Sequence, residues 1–312
     1  MRILVTGALG FVGPWLVREL LEHGHEVCAT GFETAAAGPS GVPYARADLA
    51  EAGQVAAMLD TLRPEAVIHL AAMSEPKASW EHPGDFFRVN AAATCDLFLA
   101  CAARRVSRFL HAGSSEVYGI VPRAELPLRE DSPARPANPY AVSKLAAEQA
   151  LLLLAKIHPV QVVAARPFSH TGPGQSTRFV CPAFARQAVD AAAGRIPGIL
   201  HGDLSTRRDF LDVRDVVRAY RLLIESTIPG GAYNICRGES VAIADVLGDL
   251  LAIAGADPSL ARFDPLRARP VDLPELRGDF SKLHAATGWE PSIPWRRTLE
   301  DLVASAAAEA AR

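Results

Sequence analysis

Apolar positions along the first half of the chain follow two periods. Short solid runs at Ile3-Leu4-Val5, Val27-Cys28-Ala29 and Ala66-Val67-Ile68-His69-Leu70 read as strands buried on both faces. Between them, Leu16, Leu20 and Leu21 recur at helical spacing. The pattern predicts further helices over residues 51–62 and 85–103, and a strand over Arg108–Ala112. Buried strands alternating with helices predict an α/β fold, a Rossmann-type doubly wound parallel sheet. After about residue 167 the rhythm weakens. Prolines and glycines cluster at Pro167–Pro182 and Arg195–Gly202, a helix is expected near Val213–Ile224, and Ala232-Tyr233-Asn234-Ile235 has strand character. Residues 1–166, with some later segments returning, are expected to form the sheet domain, and residues 167–312 a smaller lobe. The Ala-rich end, residues 303–311, is expected to be a fraying terminal helix.

Composition narrows the class. A chain of 312 residues, 49% hydrophobic, is long enough for a large core. A net charge of -3 gives no electrostatic reason to expect nucleic acid or an anionic membrane surface. The five cysteines form no Cys-x-x-Cys pair, so neither a disulfide framework nor a metal site is expected. They are expected to be small buried hydrophobes. The chain runs from Met1 straight into a strand with no apolar leader, and no apolar run reaches the roughly 20 residues of a membrane helix. A cytoplasmic protein without membrane contact is expected.

The first strand is followed by Gly7-Ala8-Leu9-Gly10-Phe11-Val12-Gly13, which opens the first helix. Glycines at this spacing, between a strand and a helix, allow a tight turn and the close approach of a pyrophosphate to amides at the helix start. A nicotinamide dinucleotide is the ligand this implies. The position that usually discriminates NAD from NADP falls at Thr30-Gly31-Phe32, where neither a carboxylate nor an arginine stands, so the choice stays open. Asp48-Leu49, after the next short strand, is placed to meet the adenine, and an N-cap of the following helix is the alternative for Asp48.

Tyr140-Ala-Val-Ser-Lys144 opens a helix behind Pro139, with the two functional side chains one turn apart. An ammonium beside a phenol favours the phenolate and lowers its pKa toward neutrality, which suits proton exchange with an alcohol or a carbonyl oxygen. Gly113-Ser114-Ser115-Glu116-Val117-Tyr118-Gly119 follows the strand Arg108–Ala112. Its Ser114 is placed to hold the substrate oxygen against Tyr140, and loop capping is assigned to Ser115.

With these residues on view, the chain resembles the extended short-chain dehydrogenase/reductases that act on nucleotide sugars. The pieces that carry the resemblance are Thr6–Gly13, His69-Leu70-Ala71-Ala72, Val89-Asn90, Ser114–Gly119 and Pro139–Lys144, in the family's order. The later segments Arg166–Gln175, Phe179-Val180, Arg208–Asp215, Tyr233–Cys236, Arg269–Pro274 and Thr287–Pro291 are similar to the GDP-4-keto-6-deoxy-D-mannose reductases. Two positions depart: Ser169 stands where that group usually has asparagine, and Gly31-Phe32 where it often has Ser-Arg.

The resemblance implies catalysis by Ser114, Tyr140 and Lys144, with Glu116 a further candidate. It implies a cofactor site of Gly7, Gly10, Phe11, Val12, Gly13, Asp48, Leu49, Leu70, Ala71, Ala72, Asn90, Tyr140, Lys144 and Pro167. Ser74, Ser115, Ser169, His170, Val180, Arg208 and Arg269 are the expected substrate residues. Arg208 and Arg269 suit a diphosphate, since guanidinium gives bidentate charged hydrogen bonds, and a surface ion pair is the alternative for each. Arg178 and Arg207 are assigned to the surface. His170 is read as a hydrogen-bonding pocket residue, with an acid/base role in an epimerase as the alternative.

The implied reaction is NAD(P)H-dependent reduction of the C4 keto group of a nucleotide-linked 4-keto-6-deoxyhexose, GDP-4-keto-6-deoxy-D-mannose giving GDP-D-rhamnose. A 4,6-dehydratase or an epimerase is the enzymatic alternative, and a dinucleotide-sensing protein with a dead site the alternative from another class. The helices around 91–103 and from 140 are expected to pair with those of a second copy in a four-helix bundle, through Ala91, Thr94, Cys95, Phe98, Leu99 and Ala102 on one and Leu145, Ala146, Gln149, Leu152 and Leu153 on the other.

Overall fold

The first strand, β1 (Arg2–Thr6), is wholly apolar from Ile3 to Val5 because it lies in the middle of a sheet covered on both faces. The computed structural model describes residues 1–35, 37–267 and 273–311. After β1 the chain runs α1 (Val12–Glu22), β2 (Glu26–Gly31), β3 (Tyr44–Arg46), α2 (Ala52–Leu62) and β4 (Ala66–His69). Next come α3 (Pro83–Phe86), a π-helical turn (Phe87–Ala92), α4 (Ala93–Ala103), β5 (Arg108–Ala112), α5 (Pro139–Leu154) and β6 (Gln161–Pro167). These six strands and a later one, β10 (Gly231–Ile235), form a parallel sheet of order β10-β6-β5-β4-β1-β2-β3. This is the doubly wound sheet expected from the alternation of runs.

Each face of the sheet has its own core. On one, Leu16, Val17 and Leu20 of α1 meet Val216, Tyr220 and Leu223 of α7 (Val213–Glu225) over Ile3, Val5 and Ile68. On the other, Met58 and Leu59 of α2, Leu97 and Phe98 of α4 and Leu151 of α5 cover Leu4, Val67 and Phe109. Helix α7, strand β10 and α9 (Ser281–Thr287), which packs beside it, thus return from the second half to the first sheet.

The remaining second-half elements are β7 (Ser169–Thr171), α6 (Val180–Ala192), β8 (Ile199–His201), β9 (Arg207–Asp212), β11 (Ser240–Ala242), α8 (Ile243–Ala254), β12 (Ala261–Phe263), β13 (Glu275–Leu276) and α10 (Trp295–Ala310). Strand β9 is the hub, with β11 antiparallel to it on one side and β7 and β13 parallel to its two halves. Helices α6, α8 and α10 bury Phe184, Leu247, Leu250, Leu299 and Leu302 together as a third core.

Several local expectations need correction. Helix α10 is no fraying tail, because Leu299, Leu302 and Ala306 anchor it in that third core. The segment expected as one helix over 85–103 is two α-helical pieces joined by the π turn. Together Pro83–Ala103 is long and apolar enough to cross a membrane by length and composition, contrary to expectation; here Phe86, Leu97 and Phe98 pack inward. Thr94 and Phe98, expected on a dimer face, are in the interior because the sheet needs cover there. Four cysteines are buried, but Cys95 is half-buried on α4, off the sheet-facing stripe.

Candidate active site

The glycine turn sits where β1 ends. Gly7 has a φ of +65°, and a Cβ built on it would lie 2.8 Å from the main chain of Ala71, just past β4. A Cβ on Gly13 would lie 2.2 Å from the Ala8 carbonyl oxygen, so the start of α1 closes against the turn. Phe11 occupies the cap position of α1 with no side-chain cap bond, and the first turn has no acidic residue. The Gly13 amide donates to the Gly10 carbonyl at 3.2 Å and Pro14 has none, which leaves the Phe11 and Val12 amides for an anion at the positive end of the helix dipole. The turn has the shape and donors that a pyrophosphate needs. Phe11 stacks on His170 at 6.2 Å, so the loop also touches the second-half residues.

The end of β4 flanks this turn. The Ala71 amide donates to Thr6 Oγ1 at 3.2 Å. Asn90, in the π turn and fully buried, accepts from the Met73 amide (2.8 Å) and donates to the Met73 carbonyl (3.0 Å) and Ser143 Oγ (3.0 Å). It thereby ties the Leu70-Ala71-Ala72-Met73 segment to α5. On the other side, Asp48 caps no helix: its carboxylate accepts from the Ala50 amide at 2.9 Å in a local turn, and the cap position of α2 is Glu51. Leu49 packs on the core beneath α2. Pro167 ends β6, in register with Ile235.

The reactive groups gather at the carboxyl end of β5. Asn138 caps α5, accepting from the Ala141 amide at 2.8 Å, and Pro139 follows as the first helical residue. Tyr140 and Lys144 then lie on the inward face, with the Ser114 hydroxyl close enough to the Tyr140 phenol to favour its ionised form. Lys144 Nζ donates to the Ala112 carbonyl at 2.7 Å. The same Asn138 side chain donates to Glu116 Oε2 at 2.7 Å, and Phe86 sets its edge against the Tyr140 ring at 6.3 Å. Ser114, not Ser115, makes the capping bond of the short helical turn Ser115–Tyr118, accepting from the Glu116 amide at 3.1 Å.

The electrostatics differ from the sequence expectation. Burial pushes the Tyr140 phenol well above its ordinary 10, the Glu116 carboxylate pushes it further, and Ser114 offsets part of this. Lys144 is aimed at a carbonyl, and burial alone brings it down from 10.5 to about 7. These surroundings keep the Tyr140 phenol protonated rather than tuning it toward its phenolate. Burial lowers His170 from 6.5, and its Nδ1 is bonded to the Phe168 carbonyl at 2.9 Å, which fits a neutral pocket residue.

The expected substrate residues are dispersed. Ser74 is exposed after β4, Ser115 is buried in the short turn, Ser169 and His170 form β7, and Val180 begins α6. Arg208 is buried in β9 and donates to the carbonyls of Arg207 (2.9 Å) and Leu273 (2.6 Å). Arg178 is exposed, 3.4 Å from Glu75, and Arg207 donates to the Ser240 carbonyl at 2.8 Å. Arg269 lies outside the described residues.

Sequence reasoning missed one buried pair that shapes the site. Glu148 continues the Tyr140–Lys144 face by one more turn and receives Arg166 of β6 through two bonds, of 2.9 and 2.5 Å. Arg166 also donates to the Tyr118 hydroxyl at 2.8 Å, which donates in turn to Asn234 Oδ1 at 2.6 Å. The i+8 spacing from Tyr140 was the available signal. Among the described residues no cluster of side chains could hold a metal ion.

Comparison with known proteins gives consistent findings. The family described as GDP-mannose 4,6 dehydratase matches residues 4–302. A GDP-6-deoxy-D-mannose reductase from Pseudomonas aeruginosa is 37% identical over 304 residues, covering 97% of this chain and 96% of that protein. The solved structure of RMD from Pseudomonas aeruginosa complexed with NADPH has a TM-score of 0.85 at 34% identity, covering 99% of both chains. A Thermus thermophilus UDP-glucose 4-epimerase in complex with NAD has a TM-score of 0.88 at 31% identity, covering 98% of this chain and 99% of that one.

Proposed function

The chain belongs to the GDP-mannose 4,6-dehydratase family, an NAD(P)-dependent oxidoreductase of extended short-chain dehydrogenase/reductase type, and from that premise we propose that it reduces the C4 keto group of a nucleotide-linked 4-keto-6-deoxyhexose. The substrate in this reading is GDP-4-keto-6-deoxy-D-mannose and the product GDP-D-rhamnose. The observation that carries this reading is the gathering of Tyr140, Lys144 and Ser114 at the carboxyl end of β5, where the phenol can give a proton to a nascent alkoxide at C4. Ser114, beside that phenol, positions the substrate oxygen. Lys144 stands one helical turn away, with its Nζ on the Ala112 carbonyl. The glycine turn, with Phe11 and Val12, holds the pyrophosphate, and Leu70, Ala71, Ala72, Asn90, Pro167 and Lys144 line the rest of the dinucleotide site, with Asp48 and Leu49 at its adenine end. When bound, the nicotinamide supplies the hydride.

A 4,6-dehydratase needs, besides the tyrosine, a base that removes a proton beside a carbonyl. Glu116, the carboxylate nearest to that task, is engaged by Asn138. The activity named for the Pseudomonas relative supports the sugar assignment. Ser169, His170, Val180, Ser74 and Ser115 line the sugar side in this reading, with Arg208 and Arg269 toward the diphosphate. The test mixes the protein with NADPH or NADH and a set of nucleotide 4-keto-6-deoxy sugars and follows the nicotinamide absorbance. Stoichiometric loss of cofactor with a 6-deoxyhexose product is expected; product formed without net loss of cofactor would replace this reading with the dehydratase or epimerase.

The protein is further proposed to act as a homodimer through α4 and α5, in a cytoplasm whose reducing conditions suit its five free cysteines. Leu99 on α4 and Val142 and Leu153 on α5 expose apolar surface. Sedimentation at micromolar concentration should show twice the 33.3 kDa chain mass; a single species at the chain mass would refute the dimer.

A further inference from the structure

We propose that Arg46 reads the 2′ position of the adenosine ribose and makes the protein prefer NADPH over NADH. The inference rests on the reading that the glycine turn holds a nicotinamide dinucleotide. The usual discriminating position, the end of β2, is bare: Gly31 carries no side chain and Phe32 is 64% exposed. The end of β2 is bound to the glycine turn, since the Ala8 amide donates to the Thr30 carbonyl at 3.2 Å. A dinucleotide lying across that turn therefore brings its adenosine ribose to Gly31.

The neighbouring strand supplies the charge. Arg46 ends β3 in register with Gly31. Its Nε donates to the Phe32 carbonyl at 2.9 Å, and its guanidinium lies 5.5 Å from the centre of the Phe32 ring. Those two contacts hold the guanidinium beside Phe32, and among the described residues the two η-amino groups make no hydrogen bond or ion pair. A planar, permanently charged fork with free donors matches the oxygens of a 2′-phosphate.

The same loop carries an opposing group. A Cβ built on Gly31 would lie 2.7 Å from Glu33 Oε2, and the Tyr44 hydroxyl pins the loop by donating to the Glu33 carbonyl at 2.7 Å. A carboxylate there accepts from ribose hydroxyls and repels a phosphate. Glu33 and Arg46 form no ion pair with each other among the described residues. Both side chains are exposed, but Arg46 is anchored through its Nε to the Phe32 carbonyl, whereas among the described residues the Glu33 carboxylate makes no hydrogen bond or ion pair, so the arginine sets the preference.

Fluorescence titration of NADPH and of NADH, with no sugar present, reads the preference without turnover. The wild type should bind NADPH at least tenfold more tightly. Arg46→Ala should weaken NADPH roughly 10- to 100-fold, the scale of lost charged hydrogen bonds, and leave NADH within about threefold. Glu33→Gln should tighten NADPH. Circular dichroism checks that each variant is folded. Equal affinities in the wild type, or an equal loss of both cofactors in Arg46→Ala, would overturn the proposal. A wild type that binds neither dinucleotide would overturn the enzymatic reading beneath it.

Discussion

Replacing Lys144 with methionine should give a protein that is more stable at neutral pH and nearly inactive. Lys144 is 3% exposed, and its single hydrogen bond goes to the Ala112 carbonyl. Burial takes its pKa from 10.5 to about 7, which corresponds to roughly 5 kcal/mol opposing the folded state. Below pH 7 both folded and unfolded chains carry the charge, and the full cost applies. Between pH 7 and 10.5 the folded chain is neutral while the unfolded chain still binds the proton, so wild-type stability rises with pH. Methionine is of similar length and has no charge to bury. Its cost is the Ala112 carbonyl left without its donor, about 1–3 kcal/mol. The net gain at pH 6.5 is about 2–4 kcal/mol. With an unfolding entropy of about 2.1 cal/mol/K per residue, the Tm rises by about 3–6 °C. By pH 9 the gain should shrink to nearly nothing. Scanning calorimetry without cofactor at both pH values reads the effect, and turnover should fall about 10²- to 10⁴-fold. A variant that melts below wild type at pH 6.5, or one whose advantage is equal at both pH values, refutes the buried-ammonium argument.

Tyr140→Phe should leave dinucleotide affinity within about twofold and lower turnover about 10²- to 10⁴-fold; wild-type rate on the true substrate would end the proposed mechanism. Gly10→Val should fold, because a Cβ there approaches only the Gly7 carbonyl at 3.3 Å, yet dinucleotide titration should show weaker binding as its methyl groups enter the pyrophosphate space. An unchanged affinity would remove the loop from the cofactor site. Arg208→Ala should lower the Tm by about 2–5 °C through loss of its bonds to the Arg207 and Leu273 carbonyls and also raise KM for the nucleotide sugar. A lower Tm with unchanged KM would make Arg208 structural only.

The central sheet was legible because strands buried on both faces must be solid apolar runs, as Ile3-Leu4-Val5 and Ala66-Val67-Ile68 are. The second-half sheet was not. Its strands β7, β9, β11 and β13 are two to six residues long, and their pairing joins segments as distant as Arg207 and Glu275, which no local period records. At the site, the one-turn spacing of Tyr140 and Lys144 placed both on one helix face. The target of the lysine, a carbonyl on a strand 32 residues away, left no mark in side-chain chemistry, so its effect on Tyr140 was misjudged. Ser114 looked free to serve substrate because its cap bond is to a main-chain amide. Arg46 escaped notice for a related reason: it belongs to a three-residue strand, and only the register with Gly31 brings it to the end of β2.

The π-helical turn at Phe87–Ala92 works as a phase shifter. An α-helix advances about 100° per residue, so an extra residue accommodated in the wider turn rotates everything before it relative to everything after it. Ahead of the turn, Phe86 faces Tyr140; beyond it, Leu97, Phe98 and Cys101 face the sheet, and Asn90 between them reaches both Met73 and Ser143. A uniform α-helix of the same length could not hold all three bearings at once. Deleting one residue between Phe87 and Ala92 would keep the rod and turn one end of it away from its target, so the reactive tyrosine's neighbourhood depends on chain length there as much as on side-chain identity.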